Sequence, residues 1–143
     1  MRCGTVYGPR SQEWNGFYKL IKGVVEDKQL VFEGSGEEIR NFIHVEDMAE
    51  LFVQILKEDY KNQFVIINGP EKYSGKELVQ LIENIFDGSI DKTLMKYKDA
   101  KRPDHYVLTP YKYFPRKAKL ITKGSYIELG QGILDLVNHL QDE

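Results

Sequence analysis

The run Phe64-Val65-Ile66-Ile67 constrains the fold of this chain most. Four consecutive apolar residues without alternation fit a strand covered on both faces, as in a parallel sheet with helices on either side. The flanks agree. Before the run, Val45, Met48, Ala49, Phe52, Ile55 and Leu56 recur at helical spacing. Glu46 and Asp47 put negative charge in that helix's first turn, where it suits the dipole. After the run, Ser74 and Glu77 form an S-x-x-E capping box ahead of Leu78, Val79, Leu81, Ile82, Ile85 and Phe86. Helix 45–57, strand 64–68 and helix 75–87 therefore make an α-β-α unit, and the fold class is α/β.

The remaining segments attach to this unit. Residues 1–9 read as the end of a buried strand running into a Gly-Pro turn, without the strand's apolar body. Such an opening predicts a truncated chain, or one split from an upstream partner. Positions 14, 17, 18, 21, 24 and 25 make a helical face, weakened by Gly16 and Gly23. Residues 30–33 read as a strand, and Gly34 and Gly36 bracket a tight turn. Arg40 follows, then Phe42, Ile43 and Val45 as a short β run. Residues 58–63 are a polar connection, 94–98 and 106–109 are short strand candidates, and 110–119 read as an irregular basic segment. A helix from Gly130 to Leu140 closes the chain, with Ile133, Leu134, Leu136, Val137 and Leu140 as its apolar face.

Composition excludes several functions. With 143 residues, 41% of them hydrophobic, the chain is one domain with a real core. A formal charge of −2 with scattered basic residues gives no case for nucleic-acid binding. No apolar run approaches the roughly 20 residues of a membrane span, and no signal peptide is recognisable. Cys3 stands alone, so neither a disulfide framework nor a cysteine metal cluster is available. A cytoplasmic domain fits these features.

Local motifs yield little catalysis. His44, His105 and His139 lack ligand spacing, and His44 reads as a hydrogen-bonded strand residue. No G-x-S-x-G turn occurs, and Cys3 has no evident base beside it. Tyr-x-x-x-Lys, a spacing that can pair a phenol with an ammonium, occurs at Tyr18/Lys22, Tyr97/Lys101 and Tyr113/Lys117. Prolines argue against a helix at the latter two, and Tyr18 belongs to an apolar face, so all three read as coincidental. A glycine-rich dinucleotide or P-loop motif is absent from the sequence. Two anion-binding candidates remain, Arg40 and Arg102, each with the alternative of a solvated or loop-bracing charge. Arg102 precedes Pro103, which favours an extended, projecting conformation.

Three stretches occur in a telling order: R-C-G-T-V-Y-G-P (Arg2 to Pro9), G-S-G-E-E-I-R-N-F-I-H-V-E-D (Gly34 to Asp47) and F-V-I-I-N-G (Phe64 to Gly69). Together with R-P-D-H-Y (Arg102 to Tyr106) and the last helix, they resemble the C-terminal half of the extended short-chain dehydrogenase/reductase family. These are NAD(P)-dependent nucleotide-sugar epimerases and dehydratases of the UDP-glucose 4-epimerase type. The resemblance implies the C-terminal part of a Rossmann-type fold, with a late Rossmann strand and helix plus a small α/β substrate-binding domain. Residues 1–143 would form one C-terminal substrate-binding part, of which 45–68 would contribute to the Rossmann sheet. By resemblance Arg40 grips the diphosphate of the nucleotide sugar, and Arg102 is the second phosphate-binding arginine. Val31, Phe32 and Glu33 align with the strand lining the nucleobase pocket, and Asn15 or Gly16 with a position touching the phosphates. Cys3 and Val6 match the turn near the nicotinamide of NAD. Thr5 stands where the family commonly has a substrate-contacting Asn.

In that family the NAD loop and the catalytic Ser/Thr and Tyr-x-x-x-Lys residues precede the Y-G-P turn. None of them is in this sequence. Two readings follow. One is the nucleotide-sugar-binding part of an NAD-dependent enzyme, inactive without an N-terminal half that a separate chain could supply. The other is a non-enzymatic nucleotide-sugar-binding or oligomerising remnant. Both expect NAD only with the N-terminal half, and a homo-oligomer built through an unfinished sheet whose open edge is strand 64–68.

Overall fold

A computed structural model of the chain describes residues 1–32, 36–87, 90 and 118–142. Its first strand is divided between two sheets. Strand β1 (Arg2–Cys3) pairs in parallel with β4 (Phe64–Ile67), and β4 pairs in parallel with β6 (Ala118–Ile121). One residue further on, β2 (Thr5–Tyr7) leaves to pair in parallel with β3 (Ile39–His44), which takes β5 (Lys72–Ser74) antiparallel on its other side. Gly4 is the crossing. Its N–H donates to the Ile67 carbonyl at 2.9 Å, and a Cβ there would stand 2.9 Å from the Asn41 carbonyl oxygen. Only a residue without a side chain lets the two ladders converge so closely.

Four α-helices and a 3-10 turn at Glu58–Tyr60 complete the described elements, the α-helices being α1 (Gly16–Asp27), α2 (Val45–Gln54), α3 (Gly75–Ile85) and α4 (Leu129–Asp142). Strand β3 serves both cores through its period of two. Phe42 joins Tyr7, Phe17 and the apolar faces of α1, α3 and α4 in the larger one, with the Tyr7–Phe17 and Phe17–Phe42 rings 5.0 and 5.3 Å apart. Ile43 points the other way, into a smaller core with Met48, Leu51, Val65, Ile67 and Ile121. Buried Asp47 ties the C-terminal segment to α2. Its carboxylate accepts from Lys123 Nζ at 2.7 Å and from the Ile127 N–H at 2.9 Å, while Lys123 also reaches Glu50 at 2.5 Å. Burial works against the Lys123 charge, but the hydrogen bonds and charges of Asp47 and Glu50 outweigh it and raise its pKa.

The α-β-α unit forms as the sequence reading expects, and the capping box at Ser74 and Glu77 is made in both directions. Other expectations are corrected. Strand 64–68 is no open edge: β4 is central, and the outer strands are β1 and β6. Residues 30–32 form no strand: Leu30 and Phe32 pack against the larger core, and the bridge residue there is Gln29. Two strands went unforeseen, β5 and β6, the second starting inside the segment read as irregular. The buried face of α2 is Asp47, Met48 and Leu51, leaving Phe52 and Leu56 exposed. Trp14 lies before the helix start and is exposed, not part of the α1 face. His44 caps α2 through Nδ1, which accepts the Glu46 N–H. The candidates at 94–98 and 106–109 lie outside the described residues.

Candidate functional site

A cavity of about 820 Å³ opens between α1, the β2–β3 sheet and the start of α3. Thr5, Val6, Asn15, Val31, Phe32 and Arg40 all line it, brought together from four separated stretches. Cys3 does not; it is half-buried on β1, one residue before the crossing. Arg102 lies outside the described residues.

Arg40 is half-buried and sits within β3, opposite Tyr73 of β5, rather than ahead of the strand. The acidic neighbours that sequence alone offered it are engaged elsewhere. Glu37 pairs with Lys76, and the Glu38 carboxylate accepts the Gly36 N–H at 2.9 Å. Among the described residues Arg40 has no ion-pair or hydrogen-bond partner for its side chain, so its five-donor fork is available to a ligand. Lys19 contributes a second cation to the same wall, against Asp27 and Glu38.

Asn15 is committed to the fold. Its Oδ1 accepts the N–H groups of Phe17 and Tyr18 at 3.0 and 3.1 Å, and its Nδ2 donates to the Val6 carbonyl at 3.1 Å. It caps α1 and fastens that helix to β2. Gly16, the first residue of α1, lines the cavity with nothing within 4 Å of where a Cβ would stand, and a helix start is a favourable setting for negative charge. Phe32 closes the far wall, its ring packed onto Gly75 where any Cβ would collide with it.

Acid–base chemistry is poorly served here. The Tyr73 phenol is raised by burial and then by the charge and hydrogen bond of Glu71, so it stays protonated as a donor. Tyr18 is buried and Lys22 is bound to Glu13 at 2.6 Å, so that Tyr-x-x-x-Lys match is no catalytic pair. No group of three metal-ligating side chains occurs among the described residues. No helix among them is long and apolar enough to cross a membrane.

The geometry is the Rossmann-type α/β arrangement of solved nucleotide-sugar epimerases and dehydratases, of which it covers under half. The family named by the sequence motifs is the one that comparison finds: residues 1–68 match the model of the NAD dependent epimerase/dehydratase family. A relative in Bacillus subtilis, described as an uncharacterized UDP-glucose epimerase, is 35% identical over 86 residues, covering 59% of this chain and 27% of that protein. UDP-glucuronate 4-epimerase of Thermodesulfobacterium geofontis is 21% identical over 96% of this chain and 41% of its own. UDP-glucuronic acid 4-epimerase from Bacillus cereus, solved with UDP-glucuronic acid and NAD, superposes with a TM-score of 0.76 at 26% identity, covering 99% of this chain and 44% of that one. The chain thus spans less than half the length of these relatives.

NAD is the cofactor of that family. The starts of α2 and α3 do not fit its pyrophosphate. Strands β3 and β5 run directly into α2 and α3 with no glycine loop between. Those helix starts are already capped by His44 and Ser74 and carry Glu46, Asp47 and Glu77 in their first turns, which repel an anion.

Lining residues that sequence reasoning missed are Trp14, Lys19, Gln29, Asp27, Glu38 and Tyr73. A signal existed for some: Gly16, Leu20, Gly23 and Asp27 fall on one side of α1 at steps of four, three and four.

Proposed function

We propose that this chain is the nucleotide-sugar-binding part of an NAD-dependent epimerase or dehydratase. The observation that carries the reading is a single cavity holding Thr5, Asn15, Val31, Phe32 and an Arg40 with no side-chain partner among the described residues, the set singled out by resemblance. Arg40 clamps the diphosphate, assisted by Lys19 and the Gly16 amide; Val31 and Phe32 wall the nucleobase; Asn15 positions α1 and touches substrate only through its neighbours. Cys3 on β1 and Val6 on β2 would border a nicotinamide presented by another part of the enzyme. Hydride transfer belongs to that part, supplied by a longer chain or by a separate N-terminal half-chain, and the 143 residues alone would not turn over substrate. A second copy could instead occupy the outer edge of β1, which is unpaired among the described residues, and light scattering of the purified chain would reveal it as a dimer.

Calorimetric titration with UDP-glucose tests the reading. Arg40→Ala should weaken binding ten- to a hundredfold with the fold intact, as expected for losing charge-assisted hydrogen bonds of about 1.5–3 kcal/mol. Unchanged affinity would remove Arg40 from the site. Micromolar NAD binding by this chain without a partner would sink the division of labour.

A further inference from the structure

Trp14 is the only tryptophan in the chain. It is 82% exposed, yet it lines the cavity. An indole is usually well covered, and one left open at the mouth of a pocket needs an explanation. Disorder of the loop is not that explanation, because the turn carrying Trp14 is braced from three directions. The Asn15 N–H closes it onto the Gln12 carbonyl at 2.8 Å. Glu13 pairs with Lys22 of α1 at 2.6 Å. Asn15 itself is held by the three hydrogen bonds described above. The indole Nε1–H donates to Gln12 Oε1 at 3.1 Å, so the polar edge is occupied and the flat face is what the ring has left to offer.

The layout of the cavity says which part of a ligand meets that face. Helix α1 runs along the wall, and Gly16 and Asp27 are roughly 16 Å apart at 1.5 Å per residue. Gln29, Val31 and Phe32 continue from its C-terminal end, while Thr5, Val6 and Trp14 surround its N-terminal end. Resting on the nucleotide-sugar reading above, with the base at Val31 and Phe32 and the diphosphate at Arg40, the hexose reaches the opposite end. We infer that Trp14 is the platform on which the hexose ring stacks, and that it gives this site its preference for a sugar nucleotide over the bare nucleoside diphosphate. The electron-rich face of the indole meets the polarised C–H groups of the pyranose, and the preformed turn means little ordering is needed on binding.

The single tryptophan makes the test direct. The 143-residue chain is titrated with UDP-glucose and dTDP-glucose, each against its parent diphosphate, by calorimetry and by tryptophan emission. The sugar nucleotide should shift the emission and the diphosphate should not. Trp14→Ala should weaken the sugar nucleotide about tenfold and leave the diphosphate unchanged, and Trp14→Phe should recover most of the loss. Because the side chain is exposed, neither variant should alter the melting temperature. Calorimetric binding with unmoved emission, or an equal loss for both ligands in Trp14→Ala, overturns the platform and leaves the nucleotide-sugar reading standing. Failure of all four ligands to bind overturns that reading and the platform together.

Discussion

Lys123 and Asp47 show how a single contact can hold a segment in place. Asp47 is buried, and its two oxygens are divided between the Lys123 ammonium and the Ile127 N–H. Removing the ammonium leaves a buried carboxylate with one donor. Lys123→Ala should therefore destabilise the chain by on the order of 3 kcal/mol, the low end for breaking a buried pair because Ile127 remains. Asp47→Asn in the same background should recover part of it, since an amide carries no charge to be left alone. Chemical denaturation of the single and double variants checks both statements. At this scale Arg40 was legible in sequence as a candidate, but its availability was not. That depended on Lys76 drawing off Glu37, 39 positions away.

Among the elements, legibility followed the source of each one's stability. The F-V-I-I run and the capped helix α3 carry their own signals: continuous apolarity in one, and a hydrogen-bonded cap with periodic burial in the other. Strand β5 reads Lys-Tyr-Ser and has no such signal. It is a strand because β3 offers it an antiparallel ladder. Strand β6 likewise depends on β4, and the apolar residues at 30–32 are spent on core packing instead of a ladder. Gly75 links these elements to the site, since its missing side chain leaves room for the Phe32 ring. Gly75→Ala should displace that ring into the cavity, lowering UDP-glucose affinity several-fold and costing about 1–3 kcal/mol through overpacking. Paired calorimetry and thermal melting would show it; a variant that binds normally would mean the ring finds room elsewhere.

Across the whole molecule, the two cores are unequal. Among the described residues the smaller core has six buried members, and the sheet beside it exposes Phe64 and Leu120. The larger core is built on three helices and an aromatic cluster. Hydrogen exchange should therefore find the amides of β4 and β6 opening before those of α1 and α4, with the difference lost if a partner covers the exposed face. Equal protection across both sheets would contradict this. The α/β class and the order of the central unit were readable from periodicity; the split into two sheets was not, because it is decided at one glycine.

That glycine has a mechanical corollary. With a single residue between β1 and β2, the pairing offsets of the two sheets are one variable rather than two. A one-residue slip against β4 would be carried into the β2–β3 ladder, rotating Val6 away from the cavity and Tyr7 out of its aromatic cluster. A partner that forced such a slip along β1 would therefore reshape the ligand site without touching it.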